Sequence, residues 1–324
     1  MKILITDRTH PILQTLLLQA GHEVVVDTSL DRDALLDCLP QYNALVVRSK
    51  IIIDRPFLDN LRSRFALGSL NLRCIARLGA GMETIDTDYA ESLGIRCLNS
   101  PEGNRDAVGE HTLGLLLSLF NNIARADTEV RKGLWQRESN RGLEIKGRTI
   151  GIIGFGNMGS AFAQRLQGFE CRIMAYDKYK PAGFAPSYVE EVSLAHLQEH
   201  ADVLSLHVPL TPETHHMVNS HFISNFSHPF YLINTSRGAV VSTPDLAEAI
   251  KQQKIAGAAL DVIEYEDMTR DGLDMEHLPN DFRYLLNSPR TVLTPHVAGW
   301  TVESKEKLAK VLALKIIDVL SLKQ

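Results

Sequence analysis

The sequence predicts an α/β protein with two domains, each built around a parallel β-sheet of the Rossmann or flavodoxin-like kind. Short apolar segments alternate with helical segments along the 324-residue chain, and this alternation is typical of parallel sheets covered by helices on both faces. The length suits two domains of roughly 150 residues each. A glycine-rich turn, GIIGFGNMGS, begins only at Gly151, so a separate α/β region precedes it.

The composition excludes several classes of function. The chain is 44% apolar and 23% charged, which is ordinary for a globular protein. A net charge of −5 without a basic cluster argues against a nucleic-acid partner, and no run of about 18 apolar residues predicts a membrane span. The four cysteines are scattered without a CxxC pair, so we expect no metal site and a reduced, cytoplasmic protein.

The first region contains five strand-like segments. A helical segment, PILQTLLLQAG, follows the first of them and is expected to end at Gly21, because glycine commonly terminates helices. The predicted strands are KILIT (2–6), EVVVD (23–27), ALVVR (44–48), CIARLG (74–79) and IRCLN (95–99).

Residues 105–133 lack proline and end at a glycine. This pattern predicts one long helix of about 28 residues. Its middle is apolar on nearly every side, so it needs burial all round. We therefore expect a homodimer that buries the helix near residues 105–132.

The second region repeats the alternation of strands and helices. Its last segment, from Thr301, is predicted to be an amphipathic helix, with Leu308, Val311, Leu312 and Ile316 at helical spacing. The predicted strands are TIGIIGFG (149–156), CRIMAYD (171–177), DVLSLHVP (202–209), FYLIN (230–234), IAGAALDV (255–262) and TVLTPH (291–296).

The turn at residues 151–160 fits a dinucleotide-binding fingerprint, G-x-G-x-x-G, at Gly154, Gly156 and Gly159. A predicted strand precedes it and a helix follows, as the fingerprint requires. Glycine permits the tight turn and the approach of a pyrophosphate, and the helix N-terminus at Asn157 and Met158 offers amide donors to phosphate. The alternative is a purely structural glycine turn.

Asp177 ends the next predicted strand, 18 positions after Gly159. A carboxylate there can accept hydrogen bonds from both ribose hydroxyls and would repel a 2′-phosphate, which favours NAD over NADP. Lys178 and Lys180 lie close by and argue mildly the other way.

Three later segments carry a resemblance to a known family. NTSRGAVV contains Arg237, ALDVIEYE contains Asp261 and Glu266, and LTPHVAG contains His296. Together with the fingerprint and LHVPLTPET, they resemble the D-isomer-specific 2-hydroxyacid dehydrogenases, a family that includes D-3-phosphoglycerate, glycerate, hydroxypyruvate and D-lactate dehydrogenases. The resemblance covers nearly the whole chain.

This resemblance implies a particular domain order. The NAD-binding domain of the family is inserted into a discontinuous substrate-binding domain, which the C-terminal helix rejoins. We expect residues 1–99 and 299–324 to form the substrate-binding domain and residues 100–298 to form the NAD-binding domain.

The same residues suit the reduction of a 2-keto acid. The planar guanidinium of Arg237 can bind a carboxylate and polarise the keto group, and His296 can donate a proton near neutral pH. Glu266 would accept a hydrogen bond from the other ring nitrogen and orient the imidazole. Glu264 is the alternative partner, but the family spacing of five positions after Asp261 selects Glu266.

The resemblance also implies further contacts with the cofactor. Asp261 is expected near the nicotinamide, and His207 is expected to be a polar residue of the pocket and not a catalyst. The remaining predicted cofactor contacts are Thr112, Pro209, Thr214, Thr235 and Ser236.

On the substrate side, RLGAGMETID resembles the glycine loop of the family, whose backbone amides at Ala80 and Gly81 would bind the substrate carboxylate. A plain strand-to-helix turn is the alternative. Arg48, in VVRSK, matches another family loop and is a candidate for a substrate phosphate or carboxylate.

Two points of function stay open at this stage. The expected substrates are phosphoglycerate and then hydroxypyruvate or glycerate, but Asp267 stands where the family usually has proline, and the segment up to residue 290 is a candidate lid or dimer contact. The alternative function is an NAD(H)-sensing binding protein on the same fold.

Overall fold

The computed structural model describes residues 1–64, 71–266 and 272–322. The chain divides into two compact units: a smaller one formed by Met1–Asn104 and Trp300–Gln324, and a larger one formed by Arg105–Gly299. The domain borders predicted from the sequence, after residues 99 and 298, lie slightly earlier in the chain than the observed borders after Asn104 and Gly299.

The smaller unit contains a five-stranded sheet, in which every pairing is parallel and the order is β2-β1-β3-β4-β5. This is the flavodoxin-like order. Its strands are β1 (Lys2–Ile5), β2 (Glu23–Val26), β3 (Ala44–Val47), β4 (Cys74–Arg77) and β5 (Arg96–Leu98). Its helices are α1 (Pro11–Gln19), α2 (Arg32–Cys38), α3 (Arg55–Arg64), α4 (Thr87–Ser92) and the C-terminal α12 (Val302–Ser321).

Helix α12 belongs to the smaller unit because its apolar stripe is buried there. Leu312 and Ile316 are fully buried in one core cluster with Leu13 and Leu17 of α1. A capping box at Thr301, whose hydroxyl accepts from the Ser304 amide, fixes where the helix begins.

The larger unit contains a seven-stranded parallel sheet in the order β8-β7-β6-β9-β10-β11-β12, which confirms the predicted fold class. Its strands are β6 (Thr149–Ile153), β7 (Arg172–Tyr176), β8 (Glu190–Glu191), β9 (Val203–Leu206), β10 (Phe230–Asn234), β11 (Ile255–Leu260) and β12 (Thr291–Leu293). Its helices are α5 (Arg105–Phe120), α6 (Ile123–Arg131), α7 (Asn157–Leu166), α8 (Leu194–His200), α9 (Ser220–Ser224), α10 (Thr243–Lys251) and α11 (Asn280–Asn287).

The prediction of one long helix over residues 105–133 is wrong. The segment forms two helices, because Asn122 adopts a left-handed conformation with φ 52° and interrupts the run. The Phe120 carbonyl at the end of α5 accepts a hydrogen bond from the Leu143 amide. Helix α5 has eight buried residues, whereas none of the residues of α6 is buried.

The segment after Glu266 is only partly described, since residues 267–271 lie outside the described ranges. Its described part includes α11, whose Phe282 and Leu285 are buried in the main core of the larger unit. The Phe282 ring packs edge-on against Tyr265, with 5.5 Å between centroids. Helix α11 therefore contributes to the core of the larger unit, and the expected lid or dimer contact of this segment stays a prediction.

Candidate active site

The strand order of the larger unit places a crevice between β6 and β9. Successive strands run outward from β6 through β7 and β8 on one side, and from β9 through β12 on the other. Ligands of such sheets bind at this switch point, outside the carboxyl ends of the strands. Apart from Thr112, which lies in α5, the predicted cofactor and catalytic residues of this unit follow the carboxyl ends of β6, β7, β9, β10, β11 and β12.

The three fingerprint glycines have distinct physical roles. Gly154 has φ 87°, and a Cβ there would lie 2.4 Å from the His207 carbonyl oxygen. A Cβ at Gly159 would lie 2.1 Å from the Gly154 carbonyl oxygen, so this glycine permits close packing of helix and strand. A Cβ at Gly156 would instead meet no atom within 4 Å.

Open space at Gly156 suits a ligand. Gly156 is the N-cap of α7 and makes no side-chain capping bond, so no capping side chain competes for the first amides of the helix, which include those of Asn157 and Met158. Such amides and the helix dipole bind phosphate. The residues present therefore fit the pyrophosphate of a dinucleotide.

Asp177 is anchored just after β7. One carboxylate oxygen accepts from the Phe155 amide at 2.9 Å and the other from the Tyr179 amide at 3.0 Å. Each oxygen keeps a second lone pair for a ribose hydroxyl. The neighbouring Lys178 is ion-paired with Glu213, and Lys180 donates to the Phe155 carbonyl, so both cations already have partners in the protein.

His207 lies at the end of β9 beside the fingerprint. Its Nε2 is 2.8 Å from the Ser205 hydroxyl, while its Nδ1 is buried and has no hydrogen-bond partner among the described residues. Burial lowers the pKa of His207 to about 3, so the ring is neutral at physiological pH and does not act as an acid. In the loop that follows, the Thr214 hydroxyl donates to the Pro209 carbonyl at 2.6 Å and so shapes the turn.

Thr112, Thr235 and Ser236 are buried together with Asn234. The hydroxyls of Thr112 and Thr235 are 3.1 Å apart, and the Ser236 hydroxyl donates to the Asn234 side chain at 2.7 Å. These bonds connect α5 to the loop after β10, which carries Arg237.

The predicted catalytic residues follow three adjacent strands. Arg237 comes after β10, Glu266 after β11 and His296 after β12. The expected contact between Glu266 and His296 is present, since Nδ1 of the imidazole is 2.9 Å from Oε2 of the carboxylate. The Arg237 guanidinium donates to the Ser236 carbonyl at 2.7 Å, and the Asn234 amide donates to the Arg237 carbonyl at 2.9 Å.

His296 stands on a strained loop. Its φ of 53° lies in the left-handed region, which few non-glycine residues adopt, although histidine does so more often than most. The His296 amide donates to the Asp261 carbonyl at 2.7 Å. Strain of this kind persists only where surrounding bonds enforce it, and it is concentrated at functional sites.

The Asp261 carboxylate supplies those bonds. It is 1% exposed and accepts from the Val297 and Ala298 amides and from the Thr294 hydroxyl. Burial raises the pKa of Asp261, but hydrogen bonds from His111, Thr294 and these amides lower it further than burial raises it. Both oxygens of Asp261 thus fix the loop of His296, in addition to the cofactor contact expected from the sequence.

In the smaller unit, the predicted substrate residues lie after β3 and β4. The Ala80 carbonyl accepts from the Asn99 side chain at 2.7 Å, and the Gly81 carbonyl accepts from Arg77 at 2.5 Å. The Arg48 amide donates to Asp7 at 2.8 Å.

The family follows from comparison with known proteins. Residues 113–298 match the family described as D-isomer specific 2-hydroxyacid dehydrogenase, NAD binding domain. The chain belongs to this family. It is therefore an NAD-dependent oxidoreductase that acts on 2-hydroxy acids.

Relatives of this dehydrogenase share most of its length. It is 34% identical to the hydroxypyruvate reductase of Thermotoga maritima, over 92% of this chain and 91% of that protein. It is 33% identical to the D-3-phosphoglycerate dehydrogenase of Methanocaldococcus jannaschii, over 99% of this chain but 57% of that protein. Among solved structures, the D-lactate dehydrogenase from Aquifex aeolicus, complexed with NAD and lactic acid, is similar with a TM-score of 0.78 and 26% sequence identity. The match covers 99% of this chain and 94% of the Aquifex chain.

Three contacts of this dehydrogenase were not predicted from the sequence. The Arg48 guanidinium stacks on the Trp300 ring at 4.8 Å, and Arg77 connects the two loops predicted to bind substrate by donating to the Arg48 and Gly81 carbonyls. The sequence offered one signal for the first contact, since the residue directly after LTPHVAG is aromatic and is Trp300. Glu264, the rejected alternative to Glu266, pairs with His216.

Proposed function

We propose that this dehydrogenase reduces a short 2-keto acid to its D-2-hydroxy acid, with Arg237, Glu266 and His296 as the catalytic residues. The main support for the proposal is the 2.9 Å contact between Glu266 and His296, whose backbone is strained. Both residues lie at the carboxyl end of the same sheet as Arg237. The preferred substrates are the three-carbon acids phosphohydroxypyruvate and hydroxypyruvate.

Each side chain has a defined task in this reaction. Glu266 accepts from Nδ1 of His296, which leaves Nε2 to donate a proton to the developing alkoxide. The Arg237 guanidinium binds the substrate carboxylate and polarises the keto group. Bound NADH supplies the hydride.

The proposal extends to the remaining predicted contacts. Arg48, Ala80 and Gly81 are proposed substrate contacts. The proposed cofactor contacts are Thr112, Gly154, Gly156, Asn157, Met158, Gly159, Asp177, His207, Pro209, Thr214, Thr235, Ser236 and Asp261.

A substrate panel tests the proposal. Pyruvate, glyoxylate, hydroxypyruvate and phosphohydroxypyruvate are each mixed with the enzyme and NADH, and the nicotinamide absorbance is followed. The proposal expects turnover, with the highest kcat/KM on one of the two three-carbon hydroxy-substituted acids. Tight NADH binding without turnover on any of the four would instead favour the NAD(H)-sensing function.

We also propose that the protein is a homodimer through the region of α6. Four apolar side chains there are largely exposed: Ile123 (53%), Val130 (51%), Leu134 (46%) and Trp135 (79%). Clustered exposed apolar residues mark interaction surfaces. Sedimentation should show a dimer that Val130→Glu converts to monomer, and a monomeric wild type would contradict this assignment.

The location of the protein in the cell is proposed to be the cytoplasm. The support is that all four cysteines are free thiols, as is usual in a reducing compartment. Among the described residues, no helix is both long and apolar enough to cross a bilayer.

A further inference from the structure

Besides His296 and Glu266, the larger unit contains another close imidazole–carboxylate pair, formed by His216 and Glu264. Nε2 of His216 is 2.5 Å from Oε1 of Glu264. The other oxygen, Oε2, accepts from the Thr243 amide at 2.7 Å. The Glu264 side chain is only 14% exposed, whereas that of His216 is 40% exposed, and both carboxylate oxygens of Glu264 have partners within the protein.

The backbone of His216 is tied to the segment that follows Arg237. The His216 amide donates to the Ala239 carbonyl at 2.8 Å, and the Val218 amide donates to the Val240 carbonyl at 3.0 Å. The backbone of His216 has φ 50°, a conformation that costs free energy in a non-glycine residue. The imidazole bond to Glu264 compensates part of that cost.

The turn at Arg237 packs directly on the backbone beside Glu264. A Cβ at Gly238 would lie 2.0 Å from both the carbonyl carbon and the carbonyl oxygen of Ile263. No side chain fits between these two backbone segments. Any shift of residues 263–264 must therefore be transmitted to the Arg237–Gly238 turn.

These contacts fix the turn from several directions. The Asn234 side chain donates to the Arg237 carbonyl at 2.9 Å. Beyond the turn, His216 anchors Ala239 and Glu264 anchors Thr243, the first residue of α10.

We propose that Glu264 and His216 are positioning residues that set the affinity for the keto acid through the placement of Arg237. The inference rests on the proposed function, in which Arg237 binds the substrate carboxylate. A bidentate guanidinium contact requires accurate placement, and small displacements of such a group weaken binding steeply. The pair does not contact the substrate.

Kinetics of point variants test the inference. Glu264→Ala and His216→Ala should each raise KM for the keto acid by about tenfold, since each removes one anchor of the turn. We expect kcat to change less than about threefold and the Kd of NADH to stay within about twofold of wild type. Glu264→Gln keeps an acceptor for the Thr243 amide and a donor for the imidazole, and should retain a KM near that of wild type.

His215→Ala is the matched control. Its ring packs on His216 with 4.0 Å between centroids, so the variant removes a ring contact of the same loop but leaves the hydrogen bond between His216 and Glu264 in place. Its KM should be that of wild type. An unchanged KM in both alanine variants of the pair, or a fall in NADH affinity and Tm that accompanies the rise in KM, would overturn the inference.

A double variant separates this inference from the proposed function. Arg237→Ala alone should raise KM, and adding Glu264→Ala should raise it little further, because both act through the same guanidinium. If Arg237→Ala leaves KM unchanged, the proposed function fails. If Arg237→Ala raises KM, and Glu264→Ala raises KM by the same factor in the Arg237→Ala protein as in wild type, the proposed function stands and the positioning role is refuted.

Discussion

Replacing Gly156 by alanine should separate cofactor binding from folding. Gly156 has φ −80°, which alanine adopts readily, and its added Cβ would meet no atom within 4 Å. The apoprotein therefore has room for the methyl group. In the proposed function, the pyrophosphate of NAD approaches the first amides of α7 through the same space.

The expected magnitudes differ for the two processes. Alanine is a poorer N-cap than glycine by less than about 1 kcal/mol, so the free energy of unfolding should change little. A methyl group forced into a packed contact costs about 1–3 kcal/mol. At 1.4 kcal/mol per tenfold change, the Kd of NADH should rise about 5- to 140-fold.

Two other glycines provide controls for this experiment. Gly168→Ala also meets open space and should change neither Tm nor NADH affinity. Gly159→Ala places a Cβ 2.1 Å from a backbone oxygen and should lower Tm as well. Tm is measured by calorimetry and Kd by NADH fluorescence; a Gly156→Ala protein that binds NADH as tightly as wild type would refute the assignment of this turn.

Three further predictions concern single side chains. Asp177→Ala should reduce the preference for NADH over NADPH, measured as the ratio of kcat/KM, and an unchanged ratio would exclude the ribose contact. Burial lowers the pKa of His207 to about 3. Below about pH 6.5 the unfolded state therefore binds a proton that the folded state does not bind. The free energy of unfolding should fall as the pH is lowered from about 6.5 toward about 3. Urea unfolding should show about 2 kcal/mol of this loss between pH 7 and pH 5, and His207→Asn should lack it; equal losses in both proteins would contradict the burial argument. Glu266→Gln should lower kcat about 10- to 100-fold without changing NADH affinity. A kcat equal to that of wild type would show that Glu266 does not orient the His296 imidazole for catalysis.

The sequence predicted the parts of this fold that local patterns determine. Apolar strand segments and the glycines after them depend on neighbours in the chain, and the strands predicted at 149–156 and 171–177 overlap the observed β6 and β7. The prediction of an unbroken helix depended on the absence of proline and overlooked the two asparagines after Phe120, where the chain breaks at Asn122. The left-handed conformation of that residue depends on the packing of residues 142–143 against the end of α5.

The contacts of the site were less predictable than its residues. Motif spacing predicted the contact between Glu266 and His296, but it assigned Glu264 no partner. The partner of Glu264 is His216, far away in the chain, and the partner of the Arg48 guanidinium is Trp300. Such long-range pairs follow from the packing of strands and loops, which a single sequence does not specify.

The most direct test of the mechanism is a single-turnover comparison of wild type and His296→Ala, with enzyme-bound NADH mixed with the best keto acid of the panel. If His296 donates the proton, the rate of NADH oxidation should fall about 10²- to 10⁴-fold while the Kd of NADH stays near that of wild type. A variant that oxidises bound NADH at nearly the wild-type rate would contradict the assignment of His296, and with it the role given to Glu266.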